Sequence, residues 1–569
     1  MPAQPLHDLL IRGGRVVSTF TGEVFAADVV VDGQTIAGVL PADTAGEARE
    51  VLDASGLLVV PGYIDSHLHV ESSFVGPAGF AWLTLAHGTT TVLADPHEIV
   101  NVVGADGLRW MLEAGANVPQ SIYYGVPSCV PALPGFESSG AALDADDIAE
   151  LLDLPGVIGL AEVMDYRAVV RGDERMARIT EVAREKGVLI DGHAPNLRGE
   201  DLSKFMSMGI DSDHTKNPPE VSLEKARLGM TVQIQEKCVS PAMIQSLMGS
   251  PLRIPFCLVT DDVAPDAVSS HGHLDHVARL AIEAGLPPIE ALRAMTLTPA
   301  QRLRLYDRGV VSPGKRADLV LTEDIAELRP RVVISGGRVV ARDGACTYPE
   351  PTTLSHPFGA TVKLGAVSAD DFRWRLDLPD GETRLRAVRT NPVDTFTADD
   401  EIQLRVQGGE VQWEGRCPVL AIWERHGLRP GSAVAPILGF DLSEGAVAST
   451  YAHDSHNLVV LGTSRRSMAT AANAVITAGG GIAVARGDEV VAELPLRIAG
   501  VMSERPVTEV VARARAIRAA LDAWGYRHAN AFMSFSTISL PVSPSLKLTN
   551  LGLVDVANRE WADAVVSAH

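Results

Sequence analysis

The chain has 569 residues, of which 46% are hydrophobic, and these values predict a folded protein of several domains rather than a disordered one. Its 71 acidic residues outnumber its 49 lysines and arginines, and the net charge of −22 disfavours binding to nucleic acids. The five cysteines are dispersed, which argues against a disulfide framework. Because the N-terminus lacks a signal-peptide pattern and no apolar run reaches the roughly 18 residues of a membrane span, we expect a cytoplasmic protein without a membrane partner.

Two phrases of similar pattern flank a long middle segment. Residues 8–18 (DLLIRGGRVVS) predict a hairpin that turns at Gly13 and Gly14, and residues 331–342 (RVVISGGRVVAR) predict a second hairpin. We interpret the pair as one composite β-sandwich domain, formed by residues 1–60 and 310–355. Two unrelated hairpins are the alternative interpretation.

The middle segment, residues 61–309, alternates between β-rich apolar runs and stretches of helical length. Eight such units within roughly 250 residues match a TIM-like (β/α)8 barrel. Residues 356–569 lack this alternation and predict a C-terminal α/β domain, with strands at 457–463 and 481–485 around a helix at 467–478. The predicted barrel strands are 57–64, 89–94, 121–126, 157–163, 187–191, 209–212, 231–235 and 256–260.

Ionisable side chains follow most of the predicted barrel strands, at the point where each run ends. Because these strand ends meet on the face of a barrel that carries its active site, we expect the side chains to converge. They are His67 and His69 after the first run, Asp95, His97 and Glu98 after the second, Glu162 after the fourth, His193 after the fifth, His214 after the sixth, and Asp261 and Asp262 after the eighth.

Histidines and carboxylates at these positions indicate a metal centre. His67 and His69 are two residues apart, so on a strand both imidazoles project to one side; taken alone, the pair is also compatible with ordinary strand histidines. Imidazoles and carboxylates without thiolates suit zinc, iron(II) or manganese(II). The set exceeds the needs of one tetrahedral ion, and two ions that share a bridging carboxylate would use all of it. Asp95, His97 and Glu98 would be additional ligands, would orient the first histidines, or would belong to a loop that caps the next helix.

Six short sequence motifs resemble those of a known family, and two segments near the end of the chain extend the resemblance. PGYIDSHLH resembles the amidohydrolase superfamily, and TTTVLADPHEIVNV, AEVM and DGHAP together resemble its adenine deaminase family. The resemblance extends to HDSHNLVVLGTS (453–464) and SLPVSPSLKLTNLGLVDV (539–556) near the end of the chain. The remaining two of the six motifs are DSDHT (211–215) and LVTDD (258–262).

The resemblance implies a ligand role for each strand-end residue. His67 and His69 would bind one metal ion, and His193 and His214 would bind the other. Glu162 would bridge the ions, in the place where other members of the superfamily carry a carboxylated lysine. Asp261 would bind the first ion and act as the proton shuttle. Manganese or iron is favoured over zinc, and a homo-oligomer is expected.

The resemblance also implies hydrolytic deamination of adenine to hypoxanthine and ammonia, as a step of purine salvage. A hydroxide activated by two metal ions would attack C6, with Asp261 and Glu162 as the catalytic residues. Glu71, Ser72, Ser73 and Asp165 are candidate substrate-binding residues; Ser72 or Ser73 is alternatively a helix cap. The chain departs from the family pattern at Asp165, Thr215 and Val263, which affects the expected aminopurine more than the reaction type.

Other functions remain open on the sequence alone. A cyclic-amide hydrolase similar to dihydroorotase or hydantoinase would use the same barrel, and so would a deaminase of another aminopurine. A barrel that has lost catalysis would serve as a scaffold, but such a loss normally removes ligands. His453, Asp454, His456 and Asn457 belong either to an active-site lid or to a surface loop.

Overall fold

One nine-stranded sheet combines strands from both flanks of the chain in the computed structural model, which describes residues 6–251, 253–351 and 355–566. The N-terminal strand Leu58–Pro61 and the later strand Leu319–Thr322 pair antiparallel near its centre. Their apolar side chains are buried, which holds the two flanks together. The strands are His7–Val17, Val24–Asp32, Thr35–Pro41, Ala48–Asp53, Leu58–Pro61, Leu319–Thr322, Pro330–Ser335, Arg338–Arg342 and Ala345–Cys346.

The predicted hairpin at residues 8–18 is wrong. His7–Val17 is a single strand, and both of its halves pair with Val24–Asp32 across a register shift between Ile11 and Gly14. Gly13 has a φ of +75° and donates its N–H to Asp28 Oδ1 (2.9 Å), so the glycines form a bulge instead of a turn. The second predicted hairpin is confirmed, because Pro330–Ser335 and Arg338–Arg342 pair antiparallel around the two glycines at 336–337.

Eight parallel strands follow in two sheets of five and three, in the order of a TIM-like barrel. The edges of the sheets meet, because Asp211 N donates to Ile190 O and Asp261 N donates to His67 O, each at 3.2 Å. The first predicted barrel strand, residues 57–64, is divided between two strands. Leu58–Pro61 belongs to the nine-stranded sheet, and Tyr63–Leu68 is the first barrel strand. The barrel strands are Tyr63–Leu68, Thr89–Ala94, Ser121–Val126, Val157–Val163, Leu189–Gly192, Ser212–Asp213, Thr231–Ile234 and Phe256–Leu258.

Helices surround these strands. Asp144 and Asp173 cap the helices that follow them by accepting backbone N–H groups, as the preference of aspartate for this position predicts. The α-helices are Pro77–Leu85, His97–Val103, Ala105–Gly115, Ala145–Leu151, Tyr166–Arg171, Glu174–Glu185, Gly199–Ser207, Pro219–Arg227, Pro241–Met248, Pro265–His271, Leu274–Glu283, Pro288–Ala294 and Leu297–Arg302.

The described residues of the C-terminal region form a second nine-stranded sheet, a three-stranded sheet and three α-helices. It packs against the barrel: the ring of Phe74, after the first barrel strand, contacts Tyr451 and Phe532 edge-on at centroid distances of 5.1 and 5.2 Å. The strands are Gly381–Arg389, Ala398–Gln407, Glu410–Gln412, Val419–Trp423, Ser432–Leu438, Ala446–Ser449, Leu458–Gly462, Gly481–Arg486, Glu489–Pro495, Leu546–Thr549, Gly552–Asp555 and Glu560–Ala562, and the helices are Arg465–Ala478, Val507–Ala523 and Ala531–Ser536.

The two strands and the helix predicted within residues 457–485 are each present, with bounds shifted by no more than two residues. Over the ranges that the structure describes, no helix is both long enough and apolar enough to cross a membrane.

A buried ion pair orients two loops at one end of the barrel. Lys225 Nζ donates to Asp213 Oδ2 (2.8 Å), and both side chains are almost fully buried. Asp213 also accepts the backbone N–H of Ala194 (2.8 Å). Since His193 and His214 are the chain neighbours of Ala194 and Asp213, this carboxylate connects the two loops that carry those histidines.

Lys225→Met is therefore expected to destabilise the protein by about 3–5 kcal/mol, because Asp213 would be left as an uncompensated buried charge. Chemical denaturation followed by circular dichroism would measure this. The control is Lys204→Met, which removes an exposed lysine paired with Glu200 and is expected to leave stability unchanged. Equal stability of the Lys225 variant and the wild type would contradict the assignment.

Candidate metal centre and active site

The candidate ligands converge at the C-terminal ends of the barrel strands. His67 lies within the first strand, and His69 follows it directly. Glu162 lies near the end of the strand Val157–Val163. His193 and His214 each follow the last residue of a strand, and Asp261 lies three residues beyond the strand Phe256–Leu258. All six side chains are buried except that of His193, which is 25% exposed.

Glu162 lies between two groups of imidazoles. Its Oε1 faces His69 Nε2 at 3.5 Å. Its Oε2 faces His193 Nδ1 at 2.6 Å and His214 Nε2 at 3.3 Å. Burial alone would raise the pKa of Glu162, but the imidazoles of His193 and His214 outweigh this effect and hold the pKa well below its ordinary value. The carboxylate is therefore ionised and presents one oxygen to each group of histidines, as a bridging ligand would.

Asp261 completes the first group. Its Oδ1 lies 3.4 Å from His69 Nε2 and 3.7 Å from His67 Nε2. Its Oδ2 faces Lys237 Nζ at 3.4 Å, so the two oxygens have different surroundings. The residue has a φ of +59°, and its N–H donates to His67 O (3.2 Å), which anchors it beside the first strand.

The separations within the site fit metal ligation. Two ligands that each lie about 2.1 Å from one tetrahedral ion are roughly 3.4 Å apart, and the His69–Glu162, His69–Asp261 and His214–Glu162 separations lie between 3.3 and 3.5 Å. Among the described residues, the buried His67 Nε2 has no hydrogen-bond partner. Burial lowers the pKa of His67, but Asp191 and the other carboxylates raise it to about 10. The same negative potential that attracts a proton would attract a divalent cation, which would displace that proton.

Asp191 contacts His67 on the side of the ring opposite the candidate ligand atom Nε2. Its Oδ2 lies 2.8 Å from His67 Nδ1, and its Oδ1 accepts from Arg302 Nη2 (2.9 Å). Burial raises the pKa of Asp191, but Arg302 and His67 lower it far more, so the carboxylate is ionised. This contact keeps the Nε2 of His67 turned towards Asp261. Sequence reasoning did not assign a role to Asp191 or Arg302, although the DGHAP phrase contains the aspartate.

Asp191→Asn is expected to weaken metal affinity by about 10–100-fold, because the neutral amide cannot support the ligand histidine as the carboxylate does. Competition with a chromophoric chelator would measure the affinity. Asp211→Asn is the control: this aspartate also faces Arg302 (3.5 Å) but is 45% exposed, and its loss should leave metal affinity unchanged. Wild-type affinity in the Asp191 variant would exclude the orienting role.

The residues that follow the first strand differ in their contacts. Ser72 Oγ donates to Asp262 Oδ1 (2.5 Å) and lies 2.8 Å from the hydroxyl of Tyr451. The hydroxyl of Ser73 instead donates to the carbonyl of Val70 within its own short helix. Glu71 is fully buried, and burial together with the nearby Glu98 raises its pKa well above the ordinary value. The raised pKa favours the protonated form of Glu71, in which Oε2, which has no hydrogen-bond partner among the described residues, could donate a hydrogen bond.

Two of the positions that depart from the family pattern have structural partners. Asp165 accepts the N–H of Ala168 at the start of a helix and pairs with Arg559 from the C-terminal region. The hydroxyl of Thr215 donates to Asp213. Val263 is half-buried.

A second group of ionisable side chains lies beside the first. Asp95 and His97 contact each other (Oδ2 to Nδ1, 3.2 Å), and His97 Nδ1 is 3.7 Å from Glu162 Oε1. The backbone carbonyl of Asp95 accepts from His69 Nδ1 (3.1 Å). The C-terminal region contributes Tyr451 and the segment 453–457 to this side of the site. His453, Asp454, His456 and Asn457 are all buried, so the surface-loop interpretation of them is wrong.

Residues 58–340 match the amidohydrolase family, and residues 394–560 match the adenine deaminase C-terminal domain. The chain is 38% identical over 560 residues to adenine deaminase 2 of Shouchella clausii, covering 97% of each protein. It is 39% identical over 555 residues to adenine deaminase of Nitratidesulfovibrio vulgaris, covering 96% of this chain and 95% of that protein. A triazine hydrolase variant of known structure superposes with a TM-score of 0.46 at 17% identity, over 60% of this chain and 96% of that one.

The parallel barrel with imidazoles and carboxylates at one rim is that of an amidohydrolase, a metal-dependent hydrolase. The similarity of this chain to the two adenine deaminases extends beyond the barrel to nearly the full chain. The chain belongs to the adenine deaminase family.

Proposed function

We propose that the protein hydrolyses adenine to hypoxanthine and ammonia as a step of purine salvage. The observation that carries the proposal is the position of Glu162, whose two oxygens face different histidine groups, in a chain of the adenine deaminase family. Family membership favours this reaction over cyclic-amide hydrolysis and over a non-catalytic scaffold. Deamination of another aminopurine is the alternative, because the chain departs from the family pattern at Asp165, Thr215 and Val263.

The distances within the site support the proposed ligand roles. His67, His69 and Asp261 would hold one divalent cation, His193 and His214 would hold the other, and Glu162 would bridge them. Two such cations, when bound, would lower the pKa of water towards neutrality and stabilise negative charge on the substrate. Imidazoles and carboxylates without thiolates suit manganese, iron or zinc. Membership of the adenine deaminase family is the reason that we favour manganese or iron over zinc.

Asp261 is the proposed proton shuttle. One of its oxygens faces the ligand histidines, and the other is turned towards Lys237. In this role, Asp261 would accept the proton that is released when water adds to C6 of adenine. As the bond between C6 and the exocyclic nitrogen breaks, Asp261 would transfer this proton to the departing amine, which leaves as ammonia.

The purine would be positioned by residues after the first strand. Glu71, whose pKa burial raises well above its ordinary value, would in its protonated form donate a hydrogen bond to a ring nitrogen and draw charge from C6. Ser72, held between Asp262 and Tyr451, is suited to bind the purine edge. Ser73 and Asp165 stay weaker candidates, since each already has an intramolecular partner.

Four finer expectations stay predictions. The division into residues 1–60 with 310–355, residues 61–309 and residues 356–569 is supported by the pairing of the two flanks in one sheet. A β-sandwich form of the first unit, a homo-oligomer and a cytoplasmic location are predictions from the sequence and the resemblance.

The test is an assay of manganese-loaded protein for ammonia release from adenine and from other aminopurines, run beside an assay for ring opening of dihydropyrimidines. We expect turnover of adenine above that of every other substrate. His193→Ala, which removes a proposed ligand, is the matched control and should lose both activity and metal. Ring opening without ammonia release would overturn the proposal, and so would the absence of turnover in fully metal-loaded protein.

A further inference from the structure

A tyrosine of the C-terminal region reaches the barrel rim beside the candidate metal centre. The hydroxyl of Tyr451 lies 2.8 Å from Ser72 Oγ, and Ser72 donates to Asp262 Oδ1 at 2.5 Å. Tyr451 and Ser72 are almost fully buried, whereas Asp262 is partly exposed. A carboxylate oxygen of Asp262 lies within 4.8 Å of a ring nitrogen of His69. A row of hydrogen bonds thus runs from the C-terminal region to the edge of the active site.

The number of protons fixes the direction of these hydrogen bonds. A hydroxyl group has one proton, and that of Ser72 is directed at Asp262. The contact between Ser72 and Tyr451 therefore uses the proton of the tyrosine, which burial retains by raising the pKa of Tyr451 well above its ordinary value. Glu98 Oε1 is a more distant acceptor, at 3.5 Å from the tyrosine hydroxyl. His453 Nε2, 3.1 Å from the same hydroxyl, donates to it in the tautomer that this direction requires.

The C-terminal region holds Tyr451 in place from several sides. Its backbone N–H donates to Ser449 Oγ, and Ser449 donates to the carbonyl of Tyr451, both at 2.9 Å. The preceding residue, Thr450, donates its hydroxyl to the carbonyl of Gly500 (2.7 Å). The ring of Tyr451 contacts Phe74 edge-on at a centroid distance of 5.1 Å. A side chain that is fixed in this way can fix the hydroxyl group that it contacts.

The contact with Tyr451 determines what Ser72 and Asp262 offer to a ligand. Because the proton of Ser72 is directed at Oδ1, the second oxygen of Asp262 stays available as an acceptor for an N–H group. Adenine carries N–H groups on its exocyclic amine and on one nitrogen of its five-membered ring. Without the tyrosine hydroxyl, Ser72 could rotate away from Asp262, and the carboxylate would lose the partner that orients it.

We propose that Tyr451 is a positioning residue, through which the C-terminal region holds Ser72 and Asp262 in the orientation that binds an N–H group of the purine. This role rests on the proposed function and assigns a task in it to the C-terminal region. All six proposed metal ligands belong to the barrel. Loss of the tyrosine hydroxyl should therefore weaken binding of the purine and leave the metal centre intact.

Tyr451→Phe removes the hydroxyl and keeps the ring that contacts Phe74. We expect KM for adenine to rise about 10-fold, kcat to change by less than about threefold, and the metal content to equal that of the wild type. Tyr526→Phe is the matched control, because this buried tyrosine of the C-terminal region contacts the hydroxyl of Ser534 instead, and its KM should be unchanged. An unchanged KM in the Tyr451 variant, or a loss of metal with it, would overturn the proposal.

Ser72→Ala tests whether Tyr451 acts through Ser72. We expect a similar rise in KM, and adding Tyr451→Phe should change KM by less than about twofold, because no serine hydroxyl is left to orient. A rise of about 100-fold in the double variant would show that the two residues act independently, which contradicts a positioning role.

A crystal structure of the full-length Tyr451→Phe variant gives a readout that does not depend on turnover. We expect Ser72 Oγ to turn away from Asp262 and the Asp262 side chain to change its orientation. If both side chains keep their wild-type positions, the proposal is wrong for any substrate. Wild-type protein that releases no ammonia from adenine would instead contradict the proposed function, so the two failures are distinguishable.

Discussion

Asp261→Asn is expected to lower kcat for adenine by about 10³-fold while the protein keeps its fold and most of its metal. Asparagine retains a carbonyl oxygen that can face His67 and His69, but its amide cannot accept and return a proton at neutral pH. The position is tightly constrained: the backbone N–H of Asp261 donates to His67 O, so the new side chain would occupy the same place. The loss should therefore appear in the chemical step rather than in substrate binding.

Steady-state ammonia release, together with elemental analysis of the same samples, would measure this. We expect KM to change little, because Asp261 is assigned to the reacting proton and not to recognition of the purine. The control is Asp266→Asn, a nearby buried aspartate that pairs with Arg518 (2.6 Å) outside the ligand set, and it should retain most of the activity. A near-normal kcat in the Asp261 variant would remove this residue from the proton path.

Glu162→Gln is expected to lower both metal content and rate. The amide keeps only one oxygen, so one of the two histidine groups would face an NH₂ group that cannot bind a cation. We expect a loss of about one ion per chain and a decrease in kcat of roughly 10³-fold or more, which corresponds to several kcal/mol of transition-state stabilisation.

Metal analysis and single-turnover kinetics would separate these two effects. Glu424→Gln is the matched control: this glutamate is equally buried but lies outside the ligand set, and an amide oxygen can keep the two contacts of Oε1 with the backbone N–H groups of His426 and Leu428, at the loss of the contact of Oε2 with Gly427 N–H. Its metal content and rate should equal those of the wild type. Full occupancy by two ions at the barrel rim in the Glu162 variant would show that the carboxylate does not bridge them.

Much of the candidate site was predictable because it depends on a local rule. A strand that enters a barrel places the residue after its last apolar position at one rim, so the chain positions of His193, His214 and Glu162 imply that they meet. Because successive side chains of a strand point to opposite faces, the spacing of two residues likewise predicts that His67 and His69 lie on the same face. The glycines were less informative, because Gly13 and Gly14 fit a turn or a bulge equally well. In the structure they form a bulge, since both halves of the strand His7–Val17 pair with the same strand, Val24–Asp32.

The residues that contact the candidate ligands could not be found in this way. Asp191 contacts His67 across 124 positions of sequence, and Arg302 reaches Asp191 from a helix near the end of the barrel. The register of the strands and the packing of the helices bring these groups together, and neither leaves a local pattern. The burial of His453 and Asp454 likewise depends on how the C-terminal region docks against the barrel.

By itself, the sequence determined the class of fold, the family and the residues that end the barrel strands, because apolar periodicity and short motifs are properties of neighbouring residues. Only the tertiary structure decided that Glu162 turns one oxygen to each group of histidines, and that Lys225, Asp191 and Asp454 are buried beside the site. The energy of a buried charge depends on every partner within a few ångströms, and those partners come from distant parts of the chain.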